Sequence, residues 1–232
     1  MQPGPANHSN SNRLIWLSAL QVEIEPILSL LDRKNSICVA GFPGWHGFFH
    51  EREMYVFTSG GGAKSCQQAL AALLDQWQMA RILNVGLAGA LNPILNVGDV
   101  VVTSRSMSWK STDESFHPGR LILGARANSH TLRYRADRNS PLGFKTLSGS
   151  ILSWDELVQD DHLKRELYKR YRADCVDMET GYAVQTCEQR GSPFLGIRGI
   201  SDLADGCLDQ LSPTHLSEAV WHATLVALHA IA

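Results

Sequence analysis

The chain has 232 residues, a formal net charge of −2, 44% hydrophobic and 19% charged residues, and a mean hydropathy of −0.13. This length suffices for one compact α/β unit that buries roughly 70% of its unfolded surface, so no staple is needed to hold it. The charge argues against a nucleic-acid binder, which needs clustered Lys and Arg, and no apolar run approaches the roughly 20 residues that span a bilayer.

The first twelve residues, MQPGPANHSNSN, have neither a positive n-region nor an apolar h-region. They read as a disordered leader rather than a signal peptide, which leaves residues 13–232 as a single domain. RLIWLSAL (13–20) is a first strand, and Ile24, Ile27, Leu28 and Leu31 then recur at helical spacing. REMYVFTS (52–59) is a second strand, broken by Gly60–Gly62. Cys66, Ala69, Leu70, Leu73, Leu74 and Trp77 form one stripe of an amphipathic helix over 63–79. RILNVGLAGA (81–90) is a buried strand running into a Gly-rich turn, and VGDVVVTS (97–104) is another strand. This alternation is how largely parallel α/β sheets are built.

Residues 105–120, with Trp109, Phe116 and His117, read as a polar loop able to cover a site. PLGFKTLSGSIL (141–152) is strand-like, and Ser153 with Glu156 matches a capping box for a helix over about 154–170. Cys175 and Val176 end a buried strand, and a helix follows. SPFLGIRGISDLADG (192–206) is a strand ending in acids. Ser212-Pro213 opens a last helix, whose apolar face carries Trp221, Leu225 and Leu228. The five cysteines form no CxxC pair, which reads as reduced, buried thiols in a cytoplasmic protein.

Several chemistries lack their signatures. Among nine histidines only His46 and His50 are four apart, in a stretch that looks extended, so no metal site is expected. TSGGGAKS has Thr58 and Ala63 where a P-loop needs glycines; the three glycines make either a tight turn or a backbone close to a ligand. GLAGALNP is not GxGxxG, and no Gly-x-Ser-x-Gly elbow occurs. What remains is carboxylates after strands: Glu23 and Glu25, Asp177 and Glu179, Asp202 and Asp205. Each alone is a helix-start or turn acid; together, beside two Gly turns, they make a candidate site beyond the strand ends.

The ordered segments SALQVEIEPIL, GGGAKSCQQALAALL, NVGLAGALNPILNVGDVVV, SGS, VDMETGYAV and IRGISDLADG resemble the nucleoside phosphorylase and nucleosidase superfamily. The pattern is most similar to that of 5′-methylthioadenosine/S-adenosylhomocysteine nucleosidases. The resemblance implies a three-layer α/β/α fold with a twisted mixed sheet, and cleavage of the N-glycosidic bond of a 5′-modified purine nucleoside. It implies no cofactor and no metal, a cytoplasmic homodimer, and a small-molecule partner rather than nucleic acid or membrane. By the same resemblance Glu23 activates the attacking water and Asp202 protonates the leaving base, with Ser201 beside it. Glu179 holds the ribose hydroxyls, Met178 packs on the sugar, the backbone at Leu152 and Ser153 faces the base, and Ala88 and Gly89 line the pocket near the ribose.

These roles fit the chemistry. A purine leaves well once protonated, so an acid near it helps, and a carboxylate by the sugar favours developing positive charge. Four positions depart from the family's pattern: Leu87, Ser150, Gly181 and the loop at 105–120. The phosphate-binding Arg and Ser of the phosphorylase branch fall at Asn84 and Leu87. Hydrolysis is therefore the expected reaction, with phosphorolysis, a futalosine-type hydrolase, a hopanoid-associated phosphorylase and a non-catalytic nucleoside binder as the alternatives.

Overall fold

The computed structural model describes residues 13–109, 143–206 and 213–231. In chain order the elements are β1 (Leu14–Ser18), α1 (Gln21–Leu30), β2 (Asp32–Val39), β3 (Phe42–Phe49), β4 (Arg52–Thr58), α2 (Ala63–Gln76), β5 (Arg81–Ala90), β6 (Val100–Ser108), β7 (Thr146–Ser153), α3 (Asp161–Tyr171), β8 (Cys175–Asp177), α4 (Thr180–Arg190), β9 (Phe194–Asp202) and α5 (Pro213–Ile231).

The layering follows from the strand pattern. β1 is apolar on both faces, and successive side chains point to opposite sides. Leu14 and Trp16 pack with Ile24, Ile27 and Leu28 of α1 and with Val226, Ala227 and Ile231 of α5. Ile15 and Leu17 pack on the other side, with Leu70 and Leu73 of α2 and Ala183 and Cys187 of α4. The result is the expected α/β/α sandwich.

The sheet is mixed, in the order β2-β3-β4-β1-β5-β8-β7-β6-β9, with β9 returning to pair with β5. The last five strands therefore close into a ring. Ala88, Ala90, Leu95, Val101, Ile151, Cys175 and Ile200, mostly from its strands, form a further small core. β5 joins the two parts. Its first half pairs with β1 through Asn84, and its end pairs with β8 from Gly89. Between these points β1 has ended and β8 has not begun, so the backbone of residues 85–88 faces a gap on that side.

Several expectations need correction. Residues 105–108 belong to β6, because they pair in register with Ser150–Ser153 of β7; residues 110–120 of the expected loop lie outside the described residues, as do 1–12, 141–142 and Ser212. The Gly-rich segment 86–90 is strand, not turn. The Ser153–Glu156 pair does not cap a helix: Ser153 ends β7, and α3 starts at Asp161, where the Asp160 carboxylate accepts from the Leu163 N–H. The hairpin β2–β3 was not anticipated; β2 is mostly exposed, so it carries little apolar alternation. Trp221 points outward, and the buried face of α5 is Ala219, Val220, Ala223, Val226, Ala227, Leu228 and Ile231. Cys66, Cys175 and Cys187 are buried, but Cys38 is exposed on β2.

Candidate active site

The gap beside β5 is filled by Glu23. This residue sits in the first turn of α1, where its carboxylate reaches back to the helix start. Oε2 accepts from the Ala19 and Leu20 N–H groups, both at 2.8 Å, and Oε1 accepts from the Leu87 N–H at 2.9 Å. Leu87 has no partner strand on that side, so the carboxylate serves a main-chain donor that the sheet leaves open. Three of the roughly four lone-pair positions of the carboxylate are thereby used, and the free one lies on Oε1. Burial pushes the Glu23 carboxyl up from its ordinary value, while the three N–H groups and the charge of Arg198 oppose this.

Room for that carboxylate is made by Gly86. A Cβ there would stand 2.8 Å from Glu23 Oε1. Three residues on, a Cβ at Gly89 would stand 2.9 Å from Asp202 Oδ1. The Gly-rich run thus admits two acids against the strand.

Arg198, in the middle of β9, is the charge centre. It pairs in register with Gly86 and is 2% exposed. Its Nε donates to Asp177 Oδ2 at 2.8 Å. Nη1 donates to the Asn84 and Ile197 carbonyls at 2.9 and 3.1 Å, and Nη2 to Asn84 Oδ1 at 2.5 Å. Burial disfavours the guanidinium charge, but the carboxylates of Asp177, Glu179 and Glu23 outweigh it and hold the group above its ordinary value.

Glu179 reaches this centre because β8 runs antiparallel to β5. Val176 pairs with Gly89, so the residues after Val176 run back along β5 toward Gly86 and Arg198. The Glu179 side chain accepts from the Gly62 N–H at 2.6 Å. Gly62 is the N-cap of α2 with φ of 88°, so the helix N-terminus faces an anion, as its dipole favours. The anion at the Gly60–Gly62 turn is thus the protein's own carboxylate. Burial and the neighbouring Asp177 charge push Glu179 up to about 7, against the pull of Arg198 and Gly62.

Asp177 itself is structural. Beyond Arg198 it takes the Ser153 hydroxyl at 2.5 Å, the Thr180 N–H at 3.0 Å and the Thr180 hydroxyl. It therefore opens α4 as a helix-start acid. Asp174, the third acid of this stretch, accepts from Asn92 Nδ2 and the Ser150 N–H and ties β7 to the end of β5.

Asp202 ends β9. Its Oδ2 accepts from the Ser201 hydroxyl at 2.7 Å and its Oδ1 from the Ala204 N–H at 2.8 Å. Among the described residues it makes no ion pair. Ala88 and Gly89 lie beside it on β5, where Gly89 pairs with Asp202 and the Ala88 carbonyl lies 3.3 Å from Ser201 Oγ.

The structure thus gathers Glu23 and Glu179 around Arg198, and Ser201, Asp202, Ala88 and Gly89 one step further along the same strands. Leu152 and Ser153 are buried on β7 beside Val176 and Asp177. The Ser153 hydroxyl also accepts from the Gly181 N–H at 2.8 Å, so it is committed to the fold. Met178 is half-buried next to Glu179. Glu25 is exposed and Asp205 half-buried. The acids converge because β8 is antiparallel to β5, not because all their strands end at one edge. Arg198 and Asn84 were not foreseen as site residues. The available signal was a lone Arg inside the apolar run FLGIRGIS, since a buried cation must be paired. Asn84 is 2% exposed, and its Nδ2 donates to the Leu17 carbonyl while Oδ1 holds Arg198, so it is a neutral amide committed to the fold and brings no charge to an anion.

A profile of the phosphorylase superfamily matches residues 13–232. The chain is 26% identical over 228 residues to a 5′-methylthioadenosine/S-adenosylhomocysteine nucleosidase of Bacillus licheniformis, covering 94% of this chain and 98% of the relative. It is 27% identical over 199 residues to the nucleosidase of the same name from Glaesserella parasuis, covering 82% and 85%. A crystal structure of a Helicobacter pylori nucleosidase mutant with 5′-methylthioadenosine in the active site has a TM-score of 0.77 at 21% identity, covering 94% of this chain and 97% of that one. A futalosine hydrolase from the same organism has a TM-score of 0.75 at 23% identity, covering 95% and 97%.

Proposed function

The chain belongs to the phosphorylase superfamily, and from that premise we propose that it hydrolyses the N-glycosidic bond of a 5′-modified purine nucleoside such as methylthioadenosine or S-adenosylhomocysteine. The observation that carries this reading is the pairing of Glu23, caged by three N–H donors with one lone pair left, with a strand position 84 that carries a neutral amide committed to Leu17 and Arg198 rather than a cation for phosphate. A phosphate dianion held there would lose its hydration for a neutral amide, because the neighbouring Arg198 is already held by Asp177 and Asn84, and that is costly. Water needs only the free lone pair on Glu23 Oε1.

In the reaction, Glu179 grips the ribose hydroxyls and Met178 packs on the sugar as an apolar thioether. Asp202 gives a proton to the leaving purine as the bond from base nitrogen to the anomeric carbon breaks. Positive charge grows on the sugar, and the carboxylates of Glu179 and Glu23 favour it. Water then bonds to the anomeric carbon and passes a proton to Glu23. The products are free base and free sugar. Ala88 and Gly89 line the ribose, and the backbone at Leu152 and Ser153 faces the base. The enzyme works in the cytoplasm as a homodimer, which light scattering at micromolar concentration tests: a monomer refutes that part.

The reaction is tested with a panel of nucleosides that includes methylthioadenosine, S-adenosylhomocysteine, inosine and futalosine, each with and without inorganic phosphate. Free 5′-substituted ribose released at a rate independent of phosphate supports the reading. Preference for futalosine keeps the hydrolysis and changes the substrate. A strict phosphate requirement with sugar 1-phosphate as product overturns it.

A further inference from the structure

Arg198 has no flexible freedom of its own. It is fully enclosed, and both edges of its guanidinium are held. Asp177 takes the Nε edge. Asn84 takes the other edge twice, through its main-chain carbonyl to Nη1 and its side-chain oxygen to Nη2. The Asn84 carboxamide is fixed in turn, because its Nδ2 donates to the Leu17 carbonyl of β1 at 2.9 Å. That bond settles which end of the amide faces the arginine: with the nitrogen spent on Leu17, the oxygen points at Nη2. Asn84 is the last β5 residue paired with β1, so it stands where the strand enters the gap holding Glu23.

We propose that Asn84 is a positioning residue for hydrolysis: it ties the strand pair β1–β5 to the guanidinium of Arg198 and so fixes that cation relative to the carboxylates of Glu23 and Glu179. This rests on the hydrolytic reading and deepens it. Asn84 touches no reacting atom. It acts through Arg198, whose charge opposes the rise that burial imposes on both carboxyls. The charged groups facing these carboxyls are few. Arg198 on β9 acts on both, Glu23 and Glu179 repel each other, and Asp177 at the end of β8 repels Glu179. The Cys66 thiol on α2 lies within the field of Glu179 and is itself pushed up by burial, so it stays neutral. A guanidinium free to turn toward Asp177 alone would leave the pair that has to bind sugar and activate water without its fixed counter-charge.

The test uses Asn84→Ala and Asn84→Asp in the full chain, with far-UV circular dichroism confirming that each variant is folded. One readout does not depend on turnover: the 15N-labelled side-chain Nη2–H of Arg198, assigned by its disappearance in Arg198→Lys. In the wild type this proton exchanges slowly with water; in Asn84→Ala it exchanges faster by about 10-fold or more, the loss of one charge-assisted hydrogen bond. With a cleaved nucleoside, Asn84→Ala loses about 10- to 100-fold in kcat with KM nearly unchanged, and the acid limb of its kcat/KM profile moves to higher pH. Asn84→Asp, which keeps an acceptor for Nη2 but loses the donor to Leu17, recovers part of kcat. An unchanged Arg198 signal overturns the proposal, and so does a faster-exchanging signal with kcat and the acid limb at wild-type values. If the wild type releases no sugar from any nucleoside, the hydrolytic reading fails by itself, and the Arg198 exchange still shows whether Asn84 holds the guanidinium.

Discussion

Two groups of acids lie along β5, and they are built on opposite principles. Glu23, Asp177 and Glu179 surround a buried arginine and take seven N–H and hydroxyl donors among them besides that cation. Asp202, three residues further along the pairing of β5 with β9, has one hydroxyl, one N–H and, among the described residues, no cation. The first group is arranged to keep negative charge in a place where burial resists it. The second leaves a carboxyl that can give up and regain a proton without breaking an ion pair. Glu23 and Asp202 thus differ in their partners as the proposed base and acid should.

Glu23→Gln breaks this division most severely. An amide cannot take the proton from water, and its nitrogen would face N–H donors, leaving at least one of Ala19, Leu20 and Leu87 unpaired. Turnover falls by about 10³-fold or more, as steady-state kinetics on the cleaved nucleoside will measure, with circular dichroism unchanged. Asp202→Asn sharpens the comparison from the other side. It costs about 10²-fold or more on nucleosides with a purine leaving group, and little on a ribosyl nitrophenyl ether, whose leaving group needs no proton. Equal loss on both would make Asp202 merely structural.

Glu179→Gln costs about 10- to 100-fold, the worth of charge-assisted hydrogen bonds to the sugar, and its penalty shrinks on 2′- and 3′-deoxynucleosides; a penalty of the same size there removes Glu179 from the ribose. The glycines give a gentler cut through the same comparison. Gly86→Ala pushes on Glu23 and Gly89→Ala on Asp202. Each lowers kcat by about 10-fold, by displacing a catalytic group from its geometry. Only the Gly89 variant shows a leaving-group dependence.

The smallest effect is on stability. The Glu179 carboxyl is raised to about 7 in the folded protein, chiefly by burial and then by Asp177. Between its unfolded value near 4.5 and about 7 the native state holds a proton that the unfolded chain has released, so this contribution to stability falls as pH rises through that window. On the proposed mechanism activity runs the other way, because sugar binding by Glu179 and water activation by Glu23 need ionised carboxylates. Glu179→Gln should therefore melt a few degrees above the wild type at pH 8, with the difference closing toward pH 5. A wild type that melts at pH 8 no lower than the variant contradicts this direction.

Much of this was legible in the sequence where the signal is local. β1 and β5 follow from apolar runs and α1 and α2 from helical spacing, while the ordered motifs supplied Glu23, Glu179 and Asp202 as candidates. What was not legible is non-local. That β8 runs antiparallel to β5, and that β9 closes a ring, depends on strand pairing between distant segments, which local patterns do not encode. For that reason Asp177 and Glu179 looked alike in sequence, although one opens a helix and holds Arg198 while the other faces the site. Arg198 was not singled out within its strand, and Asn84 read as a missing phosphate ligand rather than a partner for that arginine. The Ser153–Glu156 capping pattern failed because the Ser153 hydroxyl is spent on Asp177.

The central claim is that Glu23 activates water at the anomeric carbon. It is tested most directly by running the reaction in H2 18O with inorganic phosphate present and analysing the sugar by mass spectrometry. Hydrolysis predicts free sugar carrying one 18O at the anomeric position, in the wild type but not in Glu23→Gln. Unlabelled sugar 1-phosphate as the product would contradict it.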